Sequence, residues 1–105
     1  MIYTATTPSD TFTLPIETNT CSKIQVTYTQ GKNKIVKLYQ NGTLPSGMTL
    51  DGKKVIIRLT QDETKQFNSD GMINVQIRVK TNSNDVFASQ KWKVYVDTSL
   101  NEDIL

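Results

Sequence analysis

Strict alternation of apolar and polar residues is the feature that most limits what this chain can become. Ile73, Val75, Ile77 and Val79 alternate with Asn74, Gln76, Arg78 and Lys80. A period of two sends successive side chains to opposite faces, so the stretch predicts a strand with one face buried. Val55, Ile57 and Leu59 alternate in the same way with Lys54, Ile56 and Arg58, and Ile24, Val26 and Tyr28 with Lys23, Gln25, Thr27 and Thr29. Trp92, Val94 and Val96 against Lys91, Lys93 and Tyr95 predict a last strand starting near Phe87. Trp92 shares parity with the valines and is read as a core residue whose indole N–H needs an internal acceptor. Phe12 and Leu14, extending toward Ile16, make a shorter first strand ended by Pro15, which has no amide hydrogen for a ladder. Lys34 to Gln40 is a further strand, less regular because Ile35-Val36 interrupts the alternation.

Turn chemistry separates these runs: Gln30-Gly31-Lys32-Asn33, Asn41-Gly42, Pro45-Ser46-Gly47, Asp51-Gly52, Ser69-Asp70-Gly71 and Asn82 to Asp85. Glycine supplies positive φ, and Asn or Asp tolerates it. Six or seven short strands with such brief connections predict an all-β antiparallel sandwich or barrel. No stretch is long enough for a crossover helix, which argues against a parallel sheet. At 105 residues the chain is one domain's worth. We place the β domain at 1–97 and a tail at 98–105, where the alternation stops.

Leu59-Thr60-Gln61-Asp62-Glu63-Thr64-Lys65-Gln66-Phe67 changes period. Thr60 followed three residues later by Glu63 matches the capping box, in which the hydroxyl accepts one free amide and the carboxylate another. The segment predicts one short helical turn near 61–66, with Phe67 as an apolar plug, carrying the chain from one sheet to the other. Asp62 and Glu63 are adjacent acids, but neighbouring helical residues diverge and acids in a first turn already suit the helix dipole.

Chemistry is scarce. Histidine is absent, which removes the commonest general base and metal ligand. Cys21 is the only cysteine, so an intramolecular disulfide or a thiolate metal cluster is ruled out, and it reads as a small structural residue at the start of a strand. Gly42 to Gly47 lacks the lysine and helix of a phosphate loop, and no acidic spacing matches a calcium loop. No cofactor or metal is expected, and no enzymatic activity. Apolar runs such as Val55-Ile56-Ile57 are far below the roughly 20 residues of a membrane span, and Met1 opens a polar, Thr-rich segment rather than a signal peptide. A net charge of +2 from twelve basic and ten acidic residues nominates neither a polyanion nor a membrane.

Two surfaces remain as candidates. Arg58, Arg78, Lys80, Lys91 and Lys93, with Lys54 and with Tyr95 among them, would gather on one outward face, the combination of charge and ring that single-stranded nucleic acid uses. Exposed strand lysines also serve simply to discourage edge pairing, and the even charge balance favours that account. In the tail, Leu100, Ile104 and Leu105 stand among Asp97, Glu102 and Asp103 without a strand of their own, which makes them candidate partner contacts; the alternatives are a fold-back over an open end of the sandwich, with Ser99 and Glu102 capping a brief turn, and terminal disorder.

Five pieces carry a resemblance: Thr6-Thr7-Pro8-Ser9-Asp10-Thr11-Phe12-Thr13-Leu14-Pro15, Ile24 to Gln30, Leu59 to Thr64, Val75 to Val79, and the acidic-apolar ending Val96 to Leu105. Together they resemble small structural proteins of phages and prophages of Gram-positive gut bacteria, over essentially the whole chain. A more distant likeness is to the immunoglobulin-like N-terminal domains of upper baseplate proteins in such phages, where strand, capped turn and strand follow in the same order. The resemblance implies a single immunoglobulin-like β-sandwich and a non-enzymatic virion or tail-associated structural or assembly module. Its partners would be other phage structural subunits, or copies of itself, with nucleic acid and membrane disfavoured. It would be made in the host cytoplasm and then enter the virion. The alternative is a small binding module for host-surface carbohydrate or single-stranded nucleic acid.

Overall fold

A computed structural model describes residues 2, 3, 7, 9–67, 71–88 and 92–97, with the side chains of 2, 3, 92 and 95–97 outside that description. Among the described residues the strands are β1 (Ile2–Tyr3), β2 (Ser9–Thr13), β3 (Cys21–Gln30), β4 (Asn33–Gln40), β5 (Met48–Asp51), β6 (Lys54–Arg58), β7 (Gly71–Thr81), β8 (Val86–Ala88) and β9 (Trp92–Asp97), with one helix, α1 (Gln61–Lys65), between β6 and β7. They form two sheets. The large one runs β1-β9-β7-β3-β4 with β8 also beside β7, and the small one runs β2-β6-β5.

Local chemistry explains the hairpins. Gln30 pairs with Asn33 and Asp51 with Lys54, so each hairpin closes through two residues. Gly31 and Gly52 take the first central position at φ of 57° and 58°, as the tight turn that matches strand twist requires. Gly47 is held for a different reason. Its carbonyl accepts the Arg58 amide at 2.7 Å, and a Cβ there would collide with the Arg58 carbonyl oxygen.

Several expectations need correction. The first long strand ends at Thr13, before Leu14 and Pro15, and Leu14 instead donates its amide to Lys53 O at 2.8 Å from a buried position. The last predicted strand is two: β8 pairs with the Lys80 end of β7 and β9 with the Gly71 end. Met48–Asp51 was hidden between two turns, too short to register as a period. β4 keeps its alternation, because Lys37 takes the inward position between Ile35 and Tyr39. One pairing, β1 with β9, is parallel. A parallel neighbour needs a long crossover, and here nearly the whole chain lies between the two strands.

Inward side chains of both sheets enter one core cluster. Ile24, Val26, Tyr28, Ile73, Val75 and Ile77 come from the large sheet, and Met48, Val55 and Ile57 from the small one. Cys21, buried, opens β3 as expected of a structural cysteine. The capping box is formed: Thr60 Oγ1 accepts the Glu63 amide at 3.1 Å and Glu63 Oε1 accepts the Thr60 amide at 2.9 Å. α1 carries the chain from the small sheet to the large one, and Phe67 behind it is 2% exposed.

Packing outweighs capping at this corner. Thr60→Ala should cost about 1 kcal/mol, the usual loss for a removed cap, and Phe67→Ala roughly 3 to 5 kcal/mol. Denaturant unfolding of the two variants measures the difference; equal midpoints would contradict the buried position of the ring.

Candidate functional site

The predicted basic residues divide between the sheets. Arg58 lies on β6, opposite Ser9, with Lys54 on the same outward side. Arg78 and Lys80 lie on β7, and Lys93 on β9 opposite Asn74, all on the large sheet. Because the inward faces of both sheets share one core, Arg58 points away from that group. Tyr95 occupies the register position opposite Met72, its side chain outside the described residues. Lys91 and the tail residues Leu100, Ile104 and Leu105 also lie outside them.

The outward face of the large sheet gathers more than the sequence suggested. Reading across β4, β3 and β7, one row is Gln40, Lys23 and Lys80, the next Leu38, Gln25 and Arg78, then Val36, Thr27 and Gln76, then Lys34, Thr29 and Asn74. β8 adds Val86 beside Lys80, and β9 adds Lys93 beside Asn74. Lys23, Lys34, Arg78, Lys80 and Lys93 thus share this face, while β3, β4 and β7 contain no acidic residue. Two shallow depressions mark it. One of about 310 Å³ is lined by amides and hydroxyls, including Gln25, Thr27, Thr29, Asn74 and Gln76. The other, about 240 Å³, lies among Lys23, Gln25, Leu38, Arg78, Lys80 and Val86.

A β-bulge puts Lys23 there. Cys21 pairs with Thr81 but Lys23 pairs with Lys80, so Ser22 is an extra residue. Its hydroxyl donates to the Lys80 and Thr81 carbonyl oxygens at 3.2 and 3.3 Å, and its own carbonyl accepts the Asn41 amide at 3.0 Å. In unbroken register Lys23 would oppose Val79, on the core side. With the bulge, Cys21 is buried inward and Lys23 stands outward, directly across from Lys80. Like charges in that relation are unfavourable, at roughly 5 Å between Cβ atoms. Among the described residues neither Lys23, Arg78 nor Lys80 has an ion-pair partner. Lys23 was legible as outward from its parity; the bulge that sets it against Lys80 was not.

Two polar links sit within the core. Tyr28, fully buried on β3, donates its hydroxyl to Asp10 Oδ2 on β2 at 2.9 Å, joining the two sheets. Burial first, then the charge and hydrogen bond of Asp10 and the charge of Glu63, drive the phenol far above its usual range. Lys37, 7% exposed, places Nζ 2.7 Å from Glu63 Oε2. Asn33 Nδ2 donates to Gln66 O at 2.7 Å, so α1 is tied at two points to β4. Burial raises the Cys21 thiol, against a smaller opposing hydrogen bond with Thr20, which disfavours the reactive thiolate. Among the described residues no three of His, Cys, Asp and Glu gather to hold a metal, and no helix is long and apolar enough to cross a membrane.

Partial burial alone would raise the Glu63 carboxyl, but the hydrogen bonds from Lys37 and from the Thr60 amide, with the charge of Lys37, hold it below the usual 4.5. A depressed folded value means that Glu63 contributes stability above the unfolded value, and that this is lost as pH falls through the lower folded one. Glu63→Gln keeps a side chain that can close the capping box but strands the Lys37 charge, and should cost roughly 3 kcal/mol at neutral pH, the lower end for a broken buried pair. The deficit should shrink as pH falls through that lower folded value. Adding Lys37→Met should recover much of it, measured by urea unfolding at pH 7 and pH 3; an unchanged midpoint in Glu63→Gln would contradict the pairing.

No protein-family model, curated protein or solved structure matches this chain.

Proposed function

We propose that this chain is a non-enzymatic immunoglobulin-like β-sandwich that works through protein–protein contacts, as a structural or assembly module of a phage virion or tail. The phage setting follows from the resemblance of Thr6 to Pro15, Ile24 to Gln30, Leu59 to Thr64 and Val75 to Val79 to such proteins. The sandwich reading is supported by the single core fed from both sheets and by the Tyr28 to Asp10 bond between them. Other structural subunits are the proposed partners, and the particle the proposed destination after synthesis in the host cytoplasm.

The observation that carries the contact reading is the outward face of the large sheet. Val36, Leu38 and Val86 are exposed aliphatic side chains there, 41%, 37% and 56% accessible, set beside cations without partners among the described residues. Exposed aliphatic side chains grouped on one face mark a contact surface, and an arginine among them is a residue type that protein interfaces favour. The row of amides and hydroxyls through Gln25, Thr27 and Gln76 keeps carbohydrate as the second reading, since such groups hydrogen-bond sugar hydroxyls.

The chain should cosediment with purified virions or tail assemblies from the producing phage, and charge reversal by Arg78→Glu with Lys80→Glu should release it. Screens for hydrolase, nuclease and glycosidase turnover should be blank. Absence from particles and from assembly intermediates would overturn the reading, as would reproducible turnover lost in Asp62→Ala or Glu63→Ala.

A further inference from the structure

We infer that the cluster Lys23, Arg78 and Lys80, with Leu38 and Val86 at its flanks, is the docking site for the acidic-apolar segment 97–105 of a second copy of this chain. The inference rests on the contact reading above and names the partner of that face.

Charge is the first argument. Three cations converge on a face whose strands β3, β4 and β7 carry no acid, and the Ser22 bulge sets two of them directly opposite each other. Such repulsion is relieved when carboxylates lie between them. Segment 97–105 brings Asp97, Glu102 and Asp103 interleaved with Leu100, Ile104 and Leu105.

Dimensions are the second. Leu38 on β4 and Val86 on β8 stand three strand spacings apart and two residues out of line, about 16 Å, with the cations between them. Leu100 and Ile104 are four residues apart, about 13 Å in an extended chain, where Leu100, Glu102 and Ile104 share one face. An extended segment laid across the strands puts aliphatic beside aliphatic and the Glu102 carboxylate over the cations.

Reach is the third, and it selects a second copy. β9 runs toward the Gly71 end of β7, where Val96 pairs with Gly71, so the chain leaves the sheet at the end away from Lys80. About nine residues of β7 separate the two ends, roughly 30 Å. In that pose Leu100 lies on Leu38 or Val86, in the rows of Arg78 and Lys80, yet it follows Asp97 by only three residues, which span at most about 11 Å. A chain's own segment therefore falls short of its own cluster, and that of a neighbouring copy does not.

Sedimentation velocity of the full chain over rising concentration tests this by charge exchange. The parent should associate, and association should weaken steeply with salt. Arg78→Glu with Lys80→Glu on one version, and Glu102→Lys with Asp103→Lys on another, should each lower self-association at least tenfold, while an equal mixture of the two recovers it. A synthetic peptide of residues 97–105 should dissociate the parent assembly. A parent that stays monomeric at millimolar concentration and low salt, a mixture that fails to recover, or a peptide without effect would each overturn the inference. Should self-association be absent while Arg78→Glu with Lys80→Glu still releases the chain from particles, the inference falls and the contact reading stands. Binding of a single-stranded oligonucleotide that blocks association at the same face would replace both with a polyanion site.

Discussion

One carboxylate holds the crossing between the two sheets. Glu63 Oε1 accepts the Thr60 amide and closes the start of α1, while Oε2 meets the Lys37 ammonium from beneath β4. Neither task is separable from the other. A lysine at an inward strand position is tolerated only with a partner, because a lone buried charge costs several kcal/mol. Exposed ion pairs contribute little, since water competes for both groups, but this pair is largely out of water, so each member depends on the other. Through Glu63 the position of β4 and the position of α1 become a single condition. The charge of Glu63 is also felt by Tyr28, whose hydroxyl bonds Asp10 on the small sheet. A polar link thus joins sheet to sheet, and a second joins sheet to helix, with the aliphatic core around them.

Side-chain parity carries the rest. In a strand a one-residue slip moves every side chain to the other face, so a bulge is a way to change faces without losing the pairing. The extra residue at Ser22 lets Cys21 face the core and still brings Ile24, Val26 and Tyr28 inward. Lys23 is delivered outward by the same step. Ser22 is stabilised in that role by its own hydroxyl, which lies within hydrogen-bond distance of the Lys80 and Thr81 carbonyl oxygens across the pair. The fold therefore spends one residue of β3 to reconcile an inward cysteine with an outward lysine two places on.

Much of this was legible because period and turn chemistry agree. β3, β6 and β7 follow directly from their alternation, and Thr60 with Glu63 announced a cap that is present in full. What the sequence hid has specific physical causes. β5 is four residues between turns, shorter than any window in which a period of two stands out. β1 pairs with β9 across almost the whole chain, a contact no local pattern encodes. Ile35-Val36 looked like a break in β4 because two apolar residues stand side by side, and the inward place of Lys37, which continues the parity of Ile35, is hidden until its partner, distant in sequence, is known. Arg78, Lys80 and Lys93 share one sheet while Arg58 lies on the other, since alternation tells which side of a strand a residue takes and never which sheet the strand joins. The corner at 61–66 implied a change of sheet after β6, and that change is what separates Arg58 from Arg78.

That separation also alters what net charge can say. A balance of +2 sums every acid and base on the molecule, yet charges in salt interact only over a Debye length, about 8 Å at physiological strength. Lys23, Arg78 and Lys80 lie within that distance of one another as adjacent positions on paired strands. Asp62 belongs to the corner and Asp51 to the small sheet, and Asp85, in the turn that joins β7 to β8 beside Val86, accepts the Ser83 hydroxyl at 3.3 Å. The acids of the corner and the small sheet count toward the total without lying on β3, β4 and β7, the strands that carry Lys23, Arg78 and Lys80. A near-even composition therefore carries little weight against an anionic partner at this surface, and the chemistry of the flanks must decide its kind. Leu38 and Val86 offer aliphatic contact, which suits carboxylates carried on a polypeptide better than phosphates carried on sugars and bases.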